Sequence, residues 1–367
     1  TVLLLPPQLQ YIVCWPIAVL LDPVKLQNKD CWPIAVLLVP EVFPDNARAP
    51  IAVLLLVVLV IIAGGASAQT YPTKPVRIIV GFPPGGATDI ATRVMAQKLN
   101  ESMGQQVIVD NRPGAASNIG AELAVRSAPD GYTLFMGSVS LSINPTLYAK
   151  LAYDPLRDLA PVAHVATTPF MLVTHPSMPV KNVKEFIAFV KARPGEVNYV
   201  TAGAGSGAHL FMELFSSLAG VRLTSVHYKG QAPATVDVLA GQIPAQFDSI
   251  MTLYPMAKQG QLRAHAVSTI QRSPLAPDIV SMTEAGFPAV EAGTSMGIAA
   301  PAGTPRPIID RLNAEMVKAI RAPEAEARFT AMGVEPVGNT PEDYARLIRA
   351  DLEKFARAVK ISGAVAD

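Results

Sequence analysis

Val76-Arg77-Ile78-Ile79-Val80-Gly81-Phe82-Pro83-Pro84-Gly85-Gly86-Ala87-Thr88-Asp89 decides the fold of this chain. Residues 76–80 are apolar and rich in β-branched side chains, the composition of a buried strand. Residues 81–86 cannot continue it: two prolines remove backbone donors, and the glycines permit unusual dihedrals and close approach of a ligand. Thr88 or Asp89 is then expected to cap a helix, with Ile90, Ala91, Val94, Met95 and Leu99 on one face. A strand, a glycine-rich turn and a helix start form an anion-binding device, because unpaired amides and the helix dipole point at the same spot. The same pattern also fits an ordinary connection between strand and helix. It lacks the Lys-Ser/Thr of a P-loop and the glycine spacing of a dinucleotide site.

The chain has 367 residues and a net charge of +1, enough length for two domains and no basic surplus to mark a nucleic-acid surface. Cys14 and Cys31 are its only cysteines, so everything after residue 31 lacks a disulfide, a thiol nucleophile or a thiolate metal ligand. The first 68 residues read differently from the rest. Cys-Trp-Pro-Ile-Ala-Val-Leu-Leu stands at 14–21 and again at 31–38, and Pro-Ile-Ala-Val-Leu-Leu returns at 50–55. Prolines at this period break any helix built from the unit, so residues 1–45 are expected to be a translated repeat, not folded protein. Arg48, the apolar run 51–63 and Ala66-Ser67-Ala68 have the order of a secretory signal peptide. The run is shorter than the roughly 20 residues of a spanning helix, which favours cleavage over anchoring. The expected mature protein begins at Gln69 in the periplasm, with residues 46–68 as its signal peptide.

From residue 69 onward strand and helix patterns alternate, which implies an α/β architecture with mostly parallel sheets. A strand at 106–110 is followed by the turn Asn111-Arg112-Pro113-Gly114 and a helix from about 118 to 127. A strand at 132–136 leads into a polar loop holding Ser138 and Ser140, at the strand end where open α/β sheets bind ligands. Strands at 161–168 and 169–173 carry the chain into a second domain. Asn182 and Glu185 have capping-box spacing. A strand at 198–201 then opens a second glycine loop, Thr201-Ala202-Gly203-Ala204-Gly205-Ser206-Gly207-Ala208-His209, and another helix. Two such loops in one chain can clamp one anion from opposite sides. Further strands are expected at 225–228, 243–247 and 263–268, and helices at 232–240, 254–259 and 306–321. The return crossing is expected at 291–300, and Thr340-Pro341-Glu342-Asp343 starts the last helix as N-cap, first-turn proline and capping box.

No catalytic constellation survives inspection. The five histidines have no metal-ligand spacing, and the flank of Ser206 fails Gly-x-Ser-x-Gly because residue 204 is alanine. Ser206 and His209 could pair as nucleophile and base, but His209 fits a loop or packing role better. Asp89 fits a helix cap better than a general base. Asp248 follows a strand and reads either as a solvated turn residue or as a hydrogen-bond acceptor facing the cleft.

Several motifs together resemble one family. Tyr71-Pro72-x-Lys74-Pro75-Val76-Arg77, Phe82-Pro83-Pro84-Gly85-Gly86-x-x-Asp89, Asn111-Arg112-Pro113-Gly114-Ala115, Pro129-Asp130-Gly131-Tyr132-Thr133-Leu134, Gly205-Ser206-x-x-His209-Leu210, Tyr228-Lys229-Gly230 and Ala300-Pro301-Ala302-Gly303-Thr304-Pro305 look like the Bug family. These are periplasmic substrate-binding proteins of tripartite tricarboxylate transporters. The resemblance covers residues 69–367 and none of the repeats.

The resemblance implies a type II periplasmic-binding-protein fold: two α/β domains, 69–168 with 293–367 and 172–290, joined by two crossing strands around a ligand cleft. It implies a small organic carboxylate as ligand, membrane permease subunits as partners, no nucleic acid, no cofactor or metal, no enzymatic activity, and a monomer. The ligand-binding residues carried over are Phe82, Pro83, Gly85, Gly86, Ala87 and Asp89 on the first loop, and Thr201, Ala202, Gly203, Gly205, Ser206 and His209 on the second. Ser138, Ser140 and Asp248 join them from the cleft. The family often has tryptophan where this chain has Ser295, a change expected to enlarge the distal pocket or make it more polar. Two alternatives stand beside transport: a periplasmic sensor acting on a signalling receptor, and a hydrolase on the same fold.

Overall fold

The computed structural model describes residues 10–14, 17–21 and 71–365. The first two segments are strands β1 (Gln10–Cys14) and β2 (Ile17–Leu21), paired antiparallel with Gln10 opposite Leu21. They stand within the segment expected to be unfolded. The signal-like run 51–63 and Ala66-Ser67-Ala68 lie outside the described residues.

Residues 71–365 are organised on a ten-stranded sheet. Its first section is built from β3 (Val76–Val80), β4 (Val107–Asn111) and β5 (Thr133–Gly137), with β3 parallel to both neighbours. Successive side chains of β3 point to opposite faces. Val76, Ile78 and Val80 enter one core with helix α1 (Ala87–Met103), whereas Ile79 enters another with Ala121 and Ala124 of α2 (Asn118–Val125). Burial on both faces explains why the strand is a continuous apolar run rather than an alternating one. Its second section holds β7 (Asn198–Thr201), β8 (Thr224–His227), β9 (Ala245–Ser249) and β10 (Arg263–Val267).

Two long strands join the sections. β6 runs unbroken from Leu159 to Thr174, where the sequence suggested two strands. Up to Pro169 it pairs with β11 (Gly293–Pro301), and from Phe170 it pairs with β9. A proline cannot donate to a ladder, and Pro169 sits at the point where the partner changes. Past it the strand continues the alternation, with Phe170 and Leu172 in one core and Met171 and Val173 in another.

Helix starts are the feature that positions the site. α3 (Ser140–Leu147) follows β5, in a stretch the sequence suggested was loop. α5 (Gly207–Ala219) follows β7, α6 (Gln231–Leu239) follows β8 and α7 (Ile250–Lys258) follows β9. α4 (Val183–Lys191) has the predicted box: the Glu185 amide donates to Asn182 Oδ1 at 2.9 Å, and Glu185 Oε2 accepts from the Lys181 amide. α8 (Arg306–Ile320) and α9 (Pro323–Ala331) pack on the core of the first section. The two-residue strand β12 (Glu335–Pro336) pairs with β6, and α10 (Pro341–Ser362) closes the chain with Thr340 as its cap. Tyr344 at its start lies against Gly297 of β11, while Phe355 near its end stands edge-on to Phe211 of α5 at 5.7 Å. One helix therefore spans both sheet sections.

Candidate functional site

A cavity of about 40 Å3 opens where these helix starts meet. Gly86, Ala87 and Thr88 reach it from α1, Val139 and Ser140 from α3, Ser206, Gly207 and Ala208 from α5, and Gln231 from α6. Asp248 lines it from the end of β9, one residue before the Ser249 cap of α7. The first amides of each helix lack an intrahelical acceptor, and each N-terminus carries roughly half a positive charge. Several such ends at one small cavity form an anion cage. Phe82, Phe170 and Ala202 give it apolar walls, and Thr294 enters from the crossing strand β11.

The first loop is held from behind by Asp89. The helix cap is Gly86, not Thr88 or Asp89, and Asp89 sits in the first turn. Its Oδ2 accepts from the Gly85 amide at 3.0 Å, its Oδ1 accepts from Asn111 Nδ2 at 2.9 Å, and Arg93 Nε donates to both oxygens. Burial works to raise its pKa, but these bonds outweigh that and hold the carboxyl below the usual range. Asn111 also donates to the Phe82 carbonyl, so one network fixes strand end, loop and helix start. Gly85 at φ 87° supplies the left-handed residue the loop requires.

The second loop is held in the same manner. The Gly203 amide donates to Thr201 Oγ1 at 3.1 Å, and the Gly205 amide donates to His209 Nδ1 at 3.3 Å. Ser206 caps α5 by accepting from the His209 amide. The His209 ring packs edge-on to His227, which is bonded to Thr201. In this geometry Ser206 is a helix cap and His209 a loop brace.

The two sections touch across the cavity. The Tyr148 hydroxyl donates to the Ala204 carbonyl at 2.6 Å, and the Ala87 amide points at Gln231 Oε1, 3.4 Å away. Asn144 Nδ2 donates to the Ala116 carbonyl beneath this contact. The arrangement is a closed one.

Of the residues expected at the site, Phe82, Gly86, Ala87, Ser138, Ser140, Ala202, Ser206 and Asp248 line the cavity. Pro83, Gly85, Asp89, Thr201, Gly203, Gly205 and His209 do not line it; they belong to the two loops, whose amides Asp89, Thr201 and His209 brace. Ser295 departs furthest. Neighbouring strand residues face opposite ways, so Thr294 enters the cavity and Ser295 faces a separate groove, where it donates to Asp351 Oδ2 at 3.3 Å. It therefore does not enlarge the cavity. That groove, of about 710 Å3, is larger but is lined by mixed charges, among them Arg272, Glu335, Asp351 and Lys354, and by none of the helix starts gathered at the cavity. Thr88, Gly207 and Ala208 lie within the two expected loops without having been singled out, and Val139, Phe170, Gln231 and Thr294 were not foreseen. For Gln231 a signal existed: Tyr228-Lys229-Gly230 precedes it as a third glycine turn before a helix.

Asp248 is neither solvated nor in a turn. It lies inside β9, 6% exposed. Burial pushes its carboxyl up to about 7, and the bond from the Ser249 amide offsets this only in part.

A sheet divided between two α/β sections, two crossing strands and a cavity at helix starts from both sides define a type II periplasmic-binding-protein fold. The chain belongs to the TctC family, the tripartite tricarboxylate transporter family receptors, whose pattern matches residues 91–363. It is 38% identical over 305 residues to protein BugT of Bordetella pertussis, covering 83% of this chain and 94% of that one. The structure of the periplasmic binding protein BugD superposes with a TM-score of 0.78 at 30% identity, covering 81% of this chain and all of that one. MatC from Rhodopseudomonas palustris, with bound malate, superposes at 0.76 with 30% identity, covering 79% of this chain and all of that one. The family is one of binding proteins that serve transporters, and it is periplasmic.

Proposed function

We propose that the chain captures a small organic carboxylate in this cavity by closure of its two domains and presents the closed form to the permease subunits of a tripartite tricarboxylate transporter. The observation that carries the reading is the convergence of helix starts from both sheet sections on one cavity. The carboxylate sits among the amides of residues 86–88 and 206–208, with Ser138, Ser140 and Asp248 reading the rest of the ligand. Residues 69–168 with 293–367, and 172–290, are the two moving bodies, and β6 and β11 are the strands that flex between them. Pro83, Gly85, Asp89, Thr201, Gly203, Gly205 and His209 set the loops that offer the amides. The protein works as a monomer, exported by a signal peptide cleaved near Ala68.

Micromolar affinity corresponds to about 8 kcal/mol. Charge-assisted amide bonds at roughly 1.5–3 kcal/mol each, in a cavity that excludes water on closing, reach that figure with a handful of contacts. The malate held by MatC supports the ligand class.

The test is calorimetric titration of the full chain, stripped of bound ligand by unfolding and refolding. Mono-, di- and tricarboxylates are compared with their methyl esters. Heat with an acid and none with its ester supports the reading; equal binding of ester and acid contradicts it.

A further inference from the structure

The cavity contains one feature that an anion cage does not require. Asp248 is 6% exposed and Ser140 is 1% exposed, yet Asp248 Oδ2 and Ser140 Oγ have no hydrogen-bond partner among the described residues. Both side chains line the cavity. Asp248 Oδ1, by contrast, is held by the Ser249 amide at 2.8 Å. The other polar side chains at the wall, Thr88, Ser138, Ser206, Gln231 and Thr294, are neutral, so Asp248 is the one acidic side chain among the described lining residues. Behind it, β9 lies between β6 and β7, with Met171 opposite Asp248. Above pH 7, where Asp248 is ionised, a buried acceptor left without a donor is costly, and a second ligand carboxylate placed against it adds repulsion.

We propose that the cavity selects acids that also carry a hydrogen-bond donor, a hydroxyl or an ammonium group, and that Asp248 Oδ2 receives that donor while the helix starts hold the carboxylate. The inference rests on the carboxylate reading above and narrows it. A site built to bond a polar group rejects the analogue that lacks it far more strongly than it rejects a change of size, because the site's own group is then left unpaired. Ser140 Oγ, on the same wall, is free to accept or donate and serves the same end of the ligand.

The experiment uses two series on fixed carbon skeletons, succinate, malate and aspartate, and propionate, lactate and alanine, titrated into the stripped full chain. Within at least one series, a donor-bearing acid binds at least tenfold more tightly than its parent. Asp248→Ala brings that ratio within twofold, because the donor-bearing acid loses its partner while the parent acid had none to lose. If Asp248→Ala does not fold, Asp248→Asn carries the test: its amide supplies a donor of its own, so the parent acids gain on both donor-bearing forms. Parent acids that bind the wild type as tightly as their donor-bearing forms, or a ratio that survives both substitutions, overturn this inference alone. No heat with any of the six acids overturns this inference; if the tricarboxylates of the wider panel give none either, the carboxylate reading falls with it.

Discussion

The amide of Ala87 points at Oε1 of Gln231, 3.4 Å away, so the first residue of one helix meets the first residue of another across the cavity. Each belongs to a different section of the sheet. Gln231 also bonds Thr252 of α7, which ties a third helix to the same contact. In the closed arrangement these groups meet at the site itself, and a ligand bridging the same helix starts shifts the population toward it.

Closure depends on a glycine at residue 230. A Cβ built there would stand 2.2 Å from Pro83 Cδ, on the opposite side of the cleft. Gly230→Ala is expected to weaken binding of the best acid about tenfold, since overpacking costs about 1–3 kcal/mol. The melting temperature of the ligand-free protein should change little, because the clash arises only on closing. Calorimetry and thermal melting together check this. An equal loss of stability in the ligand-free form would mean that the clash lies within one domain.

Ser206→Ala should cost about 1 kcal/mol of stability, the usual value of a lost N-cap. The cap bond it removes runs from the His209 amide to Ser206 Oγ. Urea unfolding measures the loss. A hydrolase using Ser206 would instead show turnover of ester substrates that this variant abolishes.

The carboxyl of Asp248 lies at about 7 in the folded chain and near 4 in the unfolded one. The folded state therefore binds this proton more tightly. Stability is lost as pH rises from about 4 to 7, and the loss stays constant above. Asp248→Asn removes the ionisation, so its stability relative to wild type should rise by up to about 4 kcal/mol between pH 4 and pH 8. Urea unfolding at the two pH values checks the sign. A gap that does not widen would place the carboxylate in contact with solvent or a cation.

Two histidines act in the opposite direction. Burial holds His164 and His265 down at about 4, with His164 Nε2 on the Ala166 carbonyl and His265 Nε2 on Thr174 Oγ1. Depressed values mean that the folded chain resists protonation. Their contribution is present above pH 6.5 and is lost as pH falls toward 4, up to about 3 kcal/mol each. His164→Gln and His265→Gln should each flatten the acid limb of the stability curve. An unchanged limb in both variants would show that neither histidine drives it.

Much of this was legible in the sequence because local chemistry fixed it. Asn182 with Glu185, and Thr340 with Asp343, have spacings that make a box wherever a helix starts. The glycine loops before α1 and α5 were visible for the same reason: only glycine serves at the left-handed positions 85 and 205. What escaped was set by distant contacts. Pro169 suggested a break in β6, but a change of partner strand absorbs its missing donor. Ser295 looked like a pocket residue until the register of β11 put Thr294 on that face instead. Asp89 was read as a ligand contact, yet Arg93 and Asn111 draw its carboxylate behind the loop. Asp248 stayed undecided because nothing local to it tells a strand end from a turn.

In the proposed complex, helix starts from both sides of the cleft hold one carboxylate. A crystal structure with the tightest-binding acid tests it most directly. Ligand carboxylate oxygens are expected within hydrogen-bond distance of amides from residues 86–88 and from residues 206–208 in the same molecule. An acid seated in the groove beside Asp351, or one that touches only one of the two loops, would contradict it.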